Sequence, residues 1–177
     1  MKKNTFTMIG LVAIAFVAVL FIVIFNNSEE KETLNIRKLV NEYSIGAKKA
    51  EAASITSEQL VVTDSDGDST YALPEDDFFV SIAPYIDETH PCATHSLTGC
   101  RGELADQDFN IYIEDTDGNV YLDEVMTSQA NGFIDFWLPR DKTYHVTIEQ
   151  DGKNVESEIA TYKNDDTCIT TMQLTDN

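Results

Sequence analysis

The chain has 177 residues, with 12 Lys+Arg against 31 Asp+Glu and a formal charge of −19. That length suits one domain or two small ones and excludes a large barrel enzyme. The acidic field repels phosphate, which sets nucleic acid and anionic lipid surfaces aside as partners and favours cations. The apolar and aromatic content, 42% and 10%, excludes disorder throughout.

The first predicted element is a membrane helix. Phe6 to Phe25 is an uncharged run of 20 residues, 14 of them Phe, Ile, Leu or Val. Its helical length matches about 30 Å of hydrocarbon, and those side chains favour insertion by roughly 4 to 8 kcal/mol. Lys2 and Lys3 precede the run and every acidic residue follows it. The positive-inside bias therefore predicts a single-pass anchor in the cell membrane, with the rest of the chain outside the cytoplasm. A cleaved signal peptide is the alternative, but its apolar core is normally about 7 to 15 residues and ends at a small-x-small site, which Val23, Ile24 and Phe25 do not provide.

Between Glu30 and Glu51, the spacing of Leu34, Ile36, Leu39, Val40 and Tyr43 mostly fits one helical face, and Ala47, Ala50, Ala52 and Ala53 follow beyond Gly46. One or two short helices are predicted. Their apolar face packs on the domain that follows or, in the alternative, on a second copy of the chain as a homodimer.

From Ser57 the period changes to two, and Asp66-Gly67, Asp117-Gly118, Asn131-Gly132 and Asp151-Gly152 punctuate the runs. Strands are predicted at Gln59 to Thr63, Phe78 to Ala83, Phe109 to Glu114, Val120 to Met126, Phe133 to Leu138, Tyr144 to Glu149, Val155 to Thr161 and Cys168 to Leu174. With no helical pattern between the last six, this reads as α+β, mostly antiparallel β: a transmembrane helix, a short helical segment and a β-sandwich-like domain. The expected divisions are residues 1–27 (anchor), 28–105 (helical linker plus a β/loop part carrying Cys92, His95 and Cys100) and 106–177 (the β-sandwich-like part carrying Cys168). The acidic turns Asp64 to Asp68 and Asp115 to Asn119 lack the sixth-position Gly and twelfth-position Glu of a calcium loop, and read as plain turns.

The informative stretch is Thr89 to Leu104, THPCATHSLTGCRGEL, which holds two of the three cysteines and two of the three histidines. Cys92 and His95 are three apart and share a face of a turn. Cys100 returns from a loop at Gly99, and only tertiary folding brings Cys168 near. Three cysteines on the oxidising side of a membrane admit two readings. One is a single disulfide with a spare thiol; a Cys92 to Cys100 bridge would contribute about 2.6 kcal/mol by loop closure. The other is a soft metal held by thiolates, for which three sulfurs suit trigonal Cu(I).

This segment, with Leu73 to Asp76, Phe79 to Tyr85, Asn131 to Phe133, Trp137 to Asp141 and Cys168 to Met172, resembles the CueP family of extracytoplasmic copper-binding proteins over about Gln59 to Leu174. The resemblance implies a copper-homeostasis protein that binds copper outside the cytoplasmic membrane, lowers its toxicity and passes it to an exported recipient protein. It also implies that Cys92, Cys100 and Cys168 are the copper ligands. The anchor and the helical linker depart from the soluble members.

Among the remaining donors, His95 is a fourth ligand, a hydrogen-bond donor to a sulfur, or else a surface imidazole. His90 ranks lower, because Pro91 biases it to extended geometry away from Cys92. Met172 shares strand parity with Cys168 and reaches a copper there, although core packing is the commoner role for such a residue. His145 alternates with Val146 and Ile148 and faces solvent, and Trp137 and the Phe residues read as core. No CxxC, HExxH, phosphate loop or GxSxG is present, and no catalytic residue is assigned. Reduction of Cu(II) by two of the thiols, general thiol-disulfide chemistry and a zinc-binding structural β domain are the alternatives.

Overall fold

Period-two patterning governs most of the architecture. The computed structural model describes residues 35–176. The predicted anchor at Phe6 to Phe25 lies outside them, and among the described residues no helix is long and apolar enough to cross a membrane. The chain divides into two units, Met1–Lys38 and Leu39–Asn177. Of the first, the described residues 35–38 are helical.

The helix α1 continues through 44. Within the second unit it buries Val40, Tyr43 and Ser44, the i, i+3, i+4 set of an amphipathic face. It stops at Gly46, whose φ of 71° is the left-handed conformation common after a helix C-terminus, and the Gly46 N–H donates to the Tyr43 carbonyl at 3.1 Å. Twelve strands follow: β1 (Ala52–Ile55), β2 (Gln59–Asp64), β3 (Gly67–Ala72), β4 (Asp77–Ile82), β5 (His95–Ser96), β6 (Asp108–Asp115), β7 (Val120–Thr127), β8 (Ile134–Pro139), β9 (Thr143–Gln150), β10 (Lys153–Ala160), β11 (Cys168–Ile169) and β12 (Thr175–Asp176). They form three sheets, ordered β3-β2-β1-β5, β12-β10-β9-β6-β7 and β11-β4-β8.

The five-stranded and three-stranded sheets meet as a sandwich. Phe109, Ile111 and Ile113 of β6 and Tyr144, Val146 and Ile148 of β9 pack with Phe78, Val80 and Ile82 of β4 and Ile134, Phe136 and Leu138 of β8. Each fully buried Phe or Ile contributes about 1.5 to 3 kcal/mol. The β4 strand is covered on both faces, since Phe79 and Ser81 are also buried, and that is why it reads as a continuous apolar run and not an alternating one. On its second face Phe79 meets His95 of β5, in the four-stranded sheet, at 6.2 Å between ring centroids, and its cross-strand neighbour Trp137 of β8, half-buried, edge-on at 5.3 Å.

Several expectations are corrected. The Ala-rich stretch beyond Gly46 ends in a strand, because Ala53 and Ile55 alternate into the interior while β1 pairs with β2 from Ala52↔Thr63 to Ile55↔Leu60. The β3 strand went unpredicted because its Asp, Ser and Thr residues carry no apolar alternation; every residue of this edge strand is exposed. The final predicted strand shrinks to Cys168–Ile169, which pairs with β4 in parallel, and the chain then leaves the ladder apart from a Tyr85↔Gln173 bridge. Three of the four Asp/Asn-Gly turns join paired strands as expected, β2 to β3, β6 to β7 and β9 to β10, whereas Asn131-Gly132 lies on a connection between sheets, since β7 pairs with β6 and β8 with β4. Asp151 and Gly152 both have positive φ between β9 and β10, the conformation a two-residue hairpin turn requires. The Asp115 carboxylate accepts the Asp117 and Asn119 N–H groups, the Asn119 amide and the Lys142 ammonium, so its oxygens are satisfied by residues of the turn and by a protein cation on the approach to β9.

Candidate metal centre

Three pieces of chain meet beside β4, two of them consecutive and the third, β11, remote in sequence. The first is β11, whose parallel pairing Cys168↔Ser81 fixes the Cys168 backbone against a fully buried strand. The second is the loop from Asp87 to Thr94. Its Ala93 carbonyl accepts the N–H groups of both Thr167 and Cys168, at 2.9 and 3.1 Å, which docks Cys92 against β11. The third is β5 and the turn after it: His95 pairs with Ile55, and the Cys100 and Gly99 N–H groups donate to the Ser96 carbonyl at 3.0 and 3.3 Å, folding Cys100 back.

The sulfurs converge. Cys92 and Cys168 are joined as a disulfide with Cα atoms 5.6 Å apart, across 76 residues of sequence. Cys100 is free and half-buried, its Sγ 3.6 Å from that of Cys92. The disulfide weighed from sequence, Cys92 to Cys100, is thus replaced by Cys92 to Cys168, because the Ala93 clamp holds the loop against β11. Around them Ala83, Phe133 and Cys168 form a second buried cluster that Cys92 and Cys100 complete.

Both histidines of the segment join the group. One ligand atom each from His95, Cys100 and Cys168 lies within 4.8 Å of the other two, and the same holds for His90, Cys92 and Cys100. His90 is therefore within reach despite its bias to extended backbone. His95 is not a surface residue: it is 0% exposed, its ring 4.6 Å from that of Phe133, and neither ring nitrogen has a hydrogen-bond partner. Burial drives its pKa down to about 4, opposed by the Asp135 carboxylate and assisted by His90, so the ring is neutral at pH 7 and offers a lone pair. A buried imidazole without a partner costs stability, and a soft cation would satisfy it. Met172 sits elsewhere, fully buried in the main core with Leu174, and His145 is on the surface, its Nδ1 3.5 Å from Glu158.

Sequence reasoning missed the residues that hold this geometry. Thr167 Oγ1 accepts the His95 N–H at 3.0 Å and donates to the Ile55 carbonyl at 2.6 Å, tying β1, β5 and β11 together. Asp135 accepts the Ser81 and Ser44 hydroxyls, both at 2.6 Å, and the Gln129 amide at 3.0 Å. Glu103, three residues after Cys100, accepts the N–H groups of Ile86, Asp87 and Glu88 at the root of the Cys92 loop. Desolvation pushes its carboxyl up, but those three bonds outweigh it and hold the pKa below the ordinary value. Its place in the Cys-Arg-Gly-Glu run was the only sequence signal.

Fold and site together define a β-rich protein with a compact thiol and imidazole centre of the kind that takes soft metal ions. The family model for the periplasmic copper-binding protein CueP matches residues 36–173, and the chain belongs to that family. The crystal structure of S.CueP is similar, with a TM-score of 0.74 at 35% sequence identity over 79% of this chain and 88% of that chain. No curated protein matches.

Proposed function

We propose that this chain is an extracytoplasmic copper-binding protein, held to the membrane by the Phe6 to Phe25 helix. In this reading it captures Cu(I) with the thiolates of Cys92, Cys100 and Cys168, with His95 as a further ligand, and passes the ion to an exported recipient. The observation that carries this reading is the arrival of Cys168, on a strand locked to β4, within reach of Cys100 and of an otherwise partnerless His95. Reduction of the Cys92 to Cys168 bridge frees two of the three thiols. Three soft sulfurs, a neutral imidazole and apolar walls suit a monovalent ion that prefers few, polarizable ligands. His90, less buried, stands as an outer donor, and the core position of Met172 favours its packing role.

Titration of the reduced chain with Cu(I) against a chromogenic chelator tests this. One tight site is expected, lost in Cys168→Ser; full affinity in that variant overturns the assignment, and preference for Zn(II) indicates a zinc-stapled β domain instead. The affinity should rise with pH through the thiol range, because each ligating thiol gives up a proton.

A second reading draws on the disulfide itself. Two thiols, Cys92 and Cys168, reduce two Cu(II) to two Cu(I), forming one S–S bond and releasing two protons, while Cys100 and His95 retain one product ion. Turnover of Cu(II) with excess thiol reductant, abolished in Cys92→Ser, separates this reductase role from simple capture.

A further inference from the structure

Nine of the chain's 12 Lys+Arg lie within residues 35–176. Lys142, Lys153 and Lys163 pair with Asp115, Asp176 and Glu58, and Arg140 donates to the Ser57 and Pro74 carbonyls. Lys48, Lys49 and Arg101 make no carboxylate pair among the described residues, and these three line one open cavity of about 380 Å³. Arg101 is braced toward it by bonds from its guanidinium to the Cys100 carbonyl, at 2.6 Å, and the Thr98 carbonyl, at 3.2 Å. Lys48 stands 5.3 Å above the Tyr43 ring, and Tyr43 and Leu97 supply apolar wall. In a chain of net charge −19, three unpaired cations around one concavity are a local inversion of sign.

We propose that this cavity binds a small polycarboxylate. Its volume falls in the range of small-molecule sites, about 300 to 1,000 Å³. Unpaired ammonium groups and a guanidinium complement carboxylates, and the walls between them suit a carbon skeleton better than a compact inorganic anion. The field of the whole chain repels an extended polyanion such as a nucleic acid. A small anion inside the cavity meets three cations and no carboxylate among the lining residues, and the Asp135 carboxylate behind the wall is occupied by the Ser44 and Ser81 hydroxyls. The turn from Ser96 to Cys100 is common to both places: Leu97 and Thr98 line the cavity, and Cys100 brings its thiol to the metal centre. Resting on the copper reading above, an anionic ligand that arrives carrying copper is thereby seated beside the first acceptor thiol.

Calorimetric titration of the full chain, reduced and metal-free, with citrate at low salt tests the site. Saturable binding is expected, weakened at least about tenfold in the exposed double variant Lys48→Gln/Lys49→Gln and unchanged in Lys163→Gln, whose cation lies elsewhere. Inorganic phosphate should bind more weakly than citrate. The proposal is overturned by unsaturable binding, by wild-type affinity in the double variant, by equal weakening in Lys163→Gln, or by phosphate matching citrate. Because the measurement uses no metal, its failure is separable from failure of copper binding, which is read on the cysteine variants.

Discussion

His95 lies with its ring 4.6 Å from that of Phe133, fully buried, and both of its nitrogens are without a hydrogen-bond partner. A polar ring in that setting weakens the metal-free fold. His95→Leu, which fills similar space without the unpaired nitrogens, is expected to raise metal-free stability by about 1 kcal/mol. The same change should weaken Cu(I) binding about tenfold or more. Denaturant midpoints and chelator competition on one preparation check both halves; a destabilised variant with unaltered affinity assigns His95 to packing alone.

The bridge between Cys92 and Cys168 removes two sulfurs from any metal. The oxidised chain should bind Cu(I) far more weakly than the reduced one, by about 100-fold or more, because Cys100 and the imidazoles alone remain. Competition assays on the two forms, with thiol counts of one and three, provide the comparison. Equal affinity would mean that neither Cys92 nor Cys168 ligates.

Thr167 serves two strands at once, accepting from His95 and donating to Ile55. Thr167→Val keeps the shape and strands a buried N–H and a buried carbonyl, which should cost about 2 kcal/mol in urea unfolding. Thr167→Ser, which keeps the hydroxyl, should recover most of that loss; if Ser is as damaged as Val, the hydrogen bonds are not the cause.

These residues also show what the sequence made legible. Alternation exposed β6, β8 and β9 because one face of each is buried and the other is not. The edge strand β3 lacked that contrast, and Ala52 and Ala53 suggested helix until pairing with β2 overrode their propensity. The cysteines and His95 were visible as a cluster, since 92, 95 and 100 are close in the chain. The pairing partner of Cys92 was not visible, because it depends on Ala93 clamping β11, a long-range contact with no local signature.

Asp115 is buried with its charge intact. The Lys142 ammonium, 2.6 Å away, and the amides of Asn119 hold its carboxyl far below the ordinary carboxylate value, and Lys142 is correspondingly raised. The unfolded chain therefore takes up this proton first as pH falls. The stabilisation is complete above the ordinary carboxylate range, about pH 4, and is lost as pH drops through that range toward the depressed folded value. Wild type should exceed Asp115→Asn in stability at pH 7 by more than at pH 3. Unfolding midpoints that differ by the same amount at both pH values would refute the role of the charge.

Two glycines bring the arm that follows Cys100 against the turn before β8. Gly102 donates its N–H to the Asn131 carbonyl at 2.7 Å, and Gly132 has a φ of 80°. A Cβ on Gly102 would stand 2.5 Å from the Gly132 oxygen, and one on Gly132 equally close to the Gly102 oxygen. Both obstacles are backbone and cannot rotate away. Gly102→Ala should therefore separate the loops, lowering stability by about 1 to 3 kcal/mol. It should also loosen Cys100, two residues upstream, so that alkylation of its thiol in the oxidised chain becomes faster, whereas Gly118→Ala, with open space around it and a φ of 81°, should strain its own turn without changing that rate. Faster labelling only in the Gly102 variant ties the crossing to the metal centre; equal labelling in all three chains would show that the crossing does not position Cys100.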